Sequence, residues 1–139
     1  MATTKINPSG LYDSTPFGFS HAAVQDGGKV LHLAGQVAWD ADCNVVGVGD
    51  FAAQVDKALA NIAAVLDHSG LGPSDVVRLR TYIVDNDMER LGAVVGALKR
   101  FYGDETPAPN TVVGVQSLAL PDFLVEIEAI AQFMNRVVE

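Results

Sequence analysis

Apolar and polar positions along the chain alternate with two periods, one of strands and one of helices. Between residues 20 and 37, His21-Ala22-Ala23-Val24 and Val30-Leu31-His32-Leu33-Ala34 are short apolar-rich runs. Asp26-Gly27-Gly28 between them offers the positive φ angles of a tight turn, so the pair predicts a hairpin. After Asp50, a good N-cap, Phe51, Val55, Ala58, Leu59, Ile62, Val65 and Leu66 recur at spacings of three and four. They form one stripe of a helix that Gly70 can end, and the face with Gln54, Asp56, Lys57 and Asn61 reads as solvated. Residues 76–84 alternate as a strand: Val77, Leu79, Thr81 and Ile83 point one way, Arg78, Arg80 and Tyr82 the other. A second helix runs from near Asp87 to Tyr102, with Met88, Leu91, Val94, Val95, Leu98 and Phe101 as its stripe and Gly103 as its C-cap. Two strands follow, near 111–118 and 124–133, with Pro121-Asp122 turning the chain between them.

The resulting order, β-β-α-β-α-β-β, is an α+β fold. Each helix has a single apolar stripe, so both pack on one face of a mixed sheet. Nothing in the chain covers the other face, and an uncovered apolar face predicts an oligomer. Residues 1–14, with the turn residues Asn7-Pro8-Ser9-Gly10, read as an irregular N-terminal arm, and residues 15–139 as one domain.

Composition narrows the function. Nine Lys and Arg against 17 Asp and Glu give a net charge of -8. That charge repels a phosphate backbone, and no basic stripe is present, so neither nucleic acid nor an anionic membrane surface is an expected partner. No stretch approaches the roughly 20 apolar residues of a spanning helix. The first residues lack the basic start and apolar run of a signal peptide, and the expected location is cytoplasmic. Cys43 is alone, which excludes an internal disulfide and reads as a loop thiol. His21, His32 and His68 have no ligand spacing, so no metal site is expected. There is no Ser-His-Asp arrangement, and Gly47-Val48-Gly49 lacks the strand context of a dinucleotide loop.

Four passages carry a resemblance. They are Leu33-Ala34-Gly35-Gln36; Gln54 through Asn61-Ile62; Gly70-Leu71-Gly72-Pro73-Ser74-Asp75-Val76-Val77; and Val125-Glu126-Ile127-Glu128-Ala129-Ile130-Ala131. In that order they resemble the signatures of the RidA/YjgF family over roughly residues 15 to 133. The resemblance implies a chorismate-mutase-like homotrimer, with the sheets inside, the helices outside and ligand clefts between subunits. It also implies hydrolysis of enamines and imines to 2-oxo acids and ammonia, without a cofactor.

The sequence departs from the family pattern where it matters chemically. Deaminating members open the strand after the second helix with Pro-Ala-Arg, whose guanidinium clamps a substrate carboxylate. Here Thr106-Pro107-Ala108-Pro109-Asn110-Thr111 puts Pro109 or Thr111 at that position, and neither carries a charge. Ala34 replaces the serine of the Ser-Gly-Gln turn, Phe19-Ser20 stands where a tyrosine is usual, and Val94 falls at an expected asparagine. Glu126 matches the family's pocket glutamate. A cleft lined by Phe19, Ala34, Gly35, Trp39, Val94, Asn110 and Thr111 favours an uncharged, apolar or aromatic ligand, because burying an unpaired charge is costly.

Each candidate has a plainer reading beside the functional one. Glu126 handles protons in the cleft, or forms a solvated pair with Glu128. Thr111 bonds a ligand, or begins a strand. Phe19 and Trp39 wall the cleft, or pack in the core or a loop. Arg78 and Arg80 pair with Glu126 or Glu128 as structural ions, or one of them replaces the lost clamp. Two function classes follow: an enzyme hydrolysing or tautomerising a C=N metabolite through Glu126, or a trimeric module that binds a small molecule or protein without chemistry.

Overall fold

The computed structural model describes residues 4–133. Strands β1 (Thr4–Ile6), β2 (Ala22–Val24) and β3 (Val30–Gln36) precede helix α1 (Phe51–His68); β4 (Val76–Val84), α2 (Met88–Tyr102), β5 (Asn110–Val115) and β6 (Val125–Gln132) complete the chain. The main sheet has the order β3-β6-β4-β5, with β4 and β5 parallel and the other pairs antiparallel. Both helices lie on one face of it. The α+β reading therefore holds, with the expected order kept from β2 to β6 and β1 added before it.

Both helices begin where their caps predict. The Asp50 carboxylate accepts from the Ala53 N–H at 3.0 Å and the Asp87 carboxylate from the Arg90 N–H at 2.8 Å, satisfying donors that the first turn leaves free. From the helices, Val55, Ile62, Leu66, Val94 and Leu98 meet Leu79, Ile83, Val125 and Ile127 of the sheet, all nearly inaccessible to solvent.

Four expectations need correction. The predicted hairpin is not a ladder: β2 pairs with β1, so the arm begins with a strand, and β3 pairs with β6 instead. The cause is at the Gly27-Gly28 turn, which β6 ties down. The Gln132 side chain donates to the Gly27 carbonyl and accepts from the Asp26 N–H, and Phe133 N–H donates to the Lys29 carbonyl. Met88, assigned to the apolar stripe of α2, is 81% exposed, while Ala97 and Tyr102 are buried in that helix. Burial leaves the Tyr102 hydroxyl without a well-formed hydrogen bond and pushes its pKa up.

The third correction concerns the solvated face of α1. Gln54 is fully buried; its Nε2 donates to the Gly47 and Asp122 carbonyls at 3.1 and 2.9 Å, and its Oε1 accepts from the Leu124 N–H at 2.9 Å. Asn61 Nδ2 donates to the Val37 and Trp39 carbonyls at 3.0 and 3.1 Å. These amides staple α1 to the segments entering and leaving the sheet. Fourth, the sheet face turned away from the helices is not simply apolar. It carries Arg78, Arg80, Tyr82, Glu126, Glu128 and Thr111 beside Ile130 and Val113.

Removing the Gln54 amide strands a buried N–H and two carbonyls, each lost partner costing about 1 kcal/mol or more. Gln54→Ala is expected to cost about 3 kcal/mol. Urea denaturation at fixed protein concentration should show the lower midpoint, whereas Met88→Ala should leave it nearly unchanged.

Candidate functional site

The register of β3 against β6 builds the site. Leu33 faces Ala129 and Gln36 faces Ile127, so β3 advances three residues while β6 advances two. The extra residue is a β-bulge, which frees backbone groups from the ladder and bends the strand. Gly35 lies within it, directly beneath Glu126. A Cβ built on Gly35 would lie 2.1 Å from Glu126 Oε2 and 2.7 Å from its carboxyl carbon. Glycine is needed here for close approach, not for an unusual φ angle.

Glu126 alternates with Val125 and Ile127, which are fully buried on the helix side, and it projects from the opposite face. Among the described residues its carboxylate has no hydrogen-bond or ion-pair partner. It borders a cleft of about 530 Å³ shared with Gly35, Trp39, Asp40, Asn61 and Phe123. Trp39 stacks edge-on against Phe123 with ring centroids 5.1 Å apart, so it both packs and walls the cleft.

Asp40 is the second carboxylate in this cleft, and sequence reasoning passed over it. Its Oδ1 accepts from the Asp42 and Asn44 N–H groups, each at 2.9 Å. The bond from Asn44, helped by Asp42, holds its pKa below the usual carboxylate range. Asp40 is thus kept ionised and engaged in its own turn, leaving Glu126 as the uncommitted acid of the pair. The signal was present in the turn-forming run Asp40-Ala41-Asp42-Cys43-Asn44.

The remaining candidates separate into other places. Phe19, Val94 and Asn110 line a second cleft of about 350 Å³, with Tyr12 from the arm and Phe17, Leu91, Val95, Leu98 and Val112. Tyr12 was not among the expected residues, yet its ring centroid lies 6.4 Å from that of Phe19. Thr111 lies on the open sheet face, where its hydroxyl accepts from Arg78 at 3.2 Å. Ala34 is exposed on β3 beside Gly35, and its carbonyl accepts from Gln36 Nε2 at 3.2 Å. Pro109 gives only its carbonyl, to the Leu79 N–H at 2.8 Å. Arg80 reaches Glu128 at 4.0 Å, and Glu128 also accepts from the Tyr82 hydroxyl. Within one chain, then, Glu126 and the Phe19–Val94–Asn110 cluster belong to different clefts.

With this geometry in place, the comparisons fix the family. The profile described as Endoribonuclease L-PSP matches residues 14–133. The chain belongs to the RidA/YjgF family. Among its relatives, Protein DfrA of Myxococcus xanthus is 38% identical over 115 residues, spanning 81% of this chain and 83% of DfrA. The 2-iminobutanoate/2-iminopropanoate deaminase of Dermatophagoides farinae is 33% identical over 115 residues, 83% of this chain and 86% of that enzyme. YyfB of Yersinia pestis, a solved Rid family protein of unknown function, is 49% identical with a TM-score of 0.93, covering 96% of this chain and all of YyfB (100%). The family is known for oligomers.

Gly35→Ala should leave the fold intact, since no positive φ is required there, but force the Glu126 side chain into another rotamer. A crystal structure of the variant checks this; an unmoved carboxylate would refute the close packing described above.

Proposed function

We propose that this protein is a small-molecule enzyme of the RidA type that hydrolyses or tautomerises an imine or enamine at a cleft between subunits of a homotrimer. The observation that carries the reading is Glu126, a carboxylate with no partner among the described residues, held over the Gly35 bulge in a cleft. The deaminase of Dermatophagoides farinae, 33% identical, points to the same class of chemistry. A trimer would let the Glu126 cleft of one subunit face the Phe19–Val94–Asn110 cleft of the next, which a single chain keeps apart. The net charge of -8 argues against the nuclease activity in the family profile's name.

In the hydrolytic reaction, Glu126 accepts a proton from water as the water oxygen bonds to the imine carbon, and passes that proton to the nitrogen. The resulting carbinolamine loses its hydroxyl proton to Glu126 and gives it to the amine. The C–N bond breaks, releasing ammonia and a carbonyl compound. Backbone N–H groups of the 34–36 bulge or the 110–112 segment polarise the substrate as charge develops. In tautomerisation the same carboxylate moves a proton between carbon and nitrogen.

The ligand is uncharged or weakly polar. Neither Pro109 nor Thr111 supplies the guanidinium that clamps a carboxylate in deaminating relatives. Losing such a contact costs several kcal/mol, or a few powers of ten in rate. Arg78 and Arg80 do not take its place in this account: Arg78 is bonded to Thr111 and Arg80 pairs with Glu128.

A binding module without chemistry is the second reading, and the absent arginine is what favours it. The two are separated by Glu126→Gln, which keeps the size of the side chain and removes its titration. Against an aromatic N–H ketimine, the variant should lose about a hundred- to ten-thousandfold in turnover and keep its assembly. Equal rates with and without the carboxylate would leave the binding module.

Two further outcomes are expected. Imines of the 2-aminoacrylate type, generated in a coupled assay by a serine dehydratase, should be hydrolysed little beyond the uncatalysed rate. Light scattering after size exclusion should give about three times 14.7 kDa, and a monomer at micromolar concentration would remove the intersubunit site.

A further inference from the structure

We infer that the aromatic-walled cleft is a specificity subsite for an uncharged group, and that the Asn110 side-chain amide reads a neutral carbonyl acceptor there. The inference rests on the ligand-site reading above and adds the chemical class that this part of the site selects.

The lining decides the class. Phe17 and Phe19, just after the arm, face Val94, Val95 and Leu98 of α2, and the polar side-chain groups at the cleft belong to Tyr12 and Asn110. No lining residue carries a charge. Val94 and Leu98 are fully buried at its base, while Phe17 is 56% exposed at its edge. An aromatic or branched apolar group would remove that surface from water, at about 25 cal/mol per Å². A carboxylate in the same place would lose its hydration and meet no cation. The volume of about 350 Å³ falls within the range of small-ligand sites.

Asn110 has a fixed orientation. The buried Thr81 hydroxyl donates to Asn110 Oδ1 at 3.1 Å, which fixes the carbonyl end of the amide toward β4 and takes one of its two lone pairs. Among the described residues Nδ2 has no partner, leaving a donor at an apolar cleft. A donor suits a ligand carbonyl and gives nothing to a ligand N–H.

The aromatic wall is assembled before any ligand arrives. Asn7 Nδ2 donates to the Ser20 hydroxyl at 3.1 Å, and Asn7 Oδ1 accepts from the Ser14 hydroxyl at 3.2 Å and the His21 N–H at 3.0 Å. Ser14 and Ser20 are buried. Gly18 brings the segment after the arm so close to α2 that an added Cβ would lie 3.1 Å from Leu98 Cβ. Little ordering is left to be done on binding, which favours affinity.

The test uses the intact protein and two probes of the same shape, benzamide and benzoate, followed by NMR at neutral pH. Benzamide should shift the Val94 and Val112 methyls and the Asn110 side-chain amide, and bind at least about tenfold more tightly than benzoate, a difference of about 1.4 kcal/mol. Asn110→Ala should weaken benzamide about three- to tenfold. Asn110→Asp keeps an acceptor for Thr81, so its fold is protected, and it should also weaken benzamide. Benzoate binding equal or tighter, no shift at saturating benzamide, or unchanged affinity in both variants would overturn the inference. Failure of the enzymatic reading looks different: the benzamide preference and its dependence on Asn110 would persist without any turnover that depends on Glu126.

Discussion

The close approach of the Glu126 carboxylate to the Cα of Gly35 is the constraint on which the rest of the site depends. It exists because β3 carries one more residue than β6 between Leu33 and Gln36. The bulge brings the backbone under the side chain and leaves no room for a Cβ. Gln54 and Asn61 hold the flanking segments in place, one gripping 47 and the 122–124 entry to β6, the other the 37–39 exit from β3. Amides whose N–H groups are both used, with Gln54 Oε1 also accepting, make a rigid frame. The frame positions a carboxylate that has no partner of its own among the described residues, which is the state a proton-transferring group needs.

Electrostatics divide the acids of this region by role. Asp40 is fastened by its own turn and kept ionised. Glu128 is engaged by Tyr82 and Arg80. Glu126 differs from both in being uncommitted. Opposite chemistry governs the second cleft, where apolar walls and one amide donor replace charge. Joined across a subunit boundary, the two surfaces would pair a proton carrier with a site for neutral ligands, and the lost arginine would be a change of substrate class rather than a loss of function.

Much of the fold was legible because it is local. Asp50 and Asp87 announce their helices by capping, and the alternation over 78–83 names the faces of β4, although a bulge between Val76 and Arg78 buries Val76. What the sequence hid is non-local. Gln54 and Asn61 look solvated by periodicity, because a helical pattern does not register hydrogen bonds to backbone far along the chain. The 26–28 turn suggested a β2–β3 hairpin, but Gln132, more than a hundred residues away, captures that turn while the arm captures β2. Thr111 was placed in the cleft by counting from a motif, whereas strand alternation turns it toward Arg78 and leaves Asn110 facing the apolar cleft. Glu126 was named by its match to the family signature, and the structure sets it beside a cleft; Asp40 went unnamed, since its place is set by a turn rather than by a motif.

The most direct test of the central claim is a ratio of kcat/KM for two aromatic N–H ketimines that differ only in an α-carboxylate. The uncharged compound should be hydrolysed faster, and Glu126→Gln should slow both compounds by about a hundred- to ten-thousandfold. Preference for the carboxylated imine would contradict it.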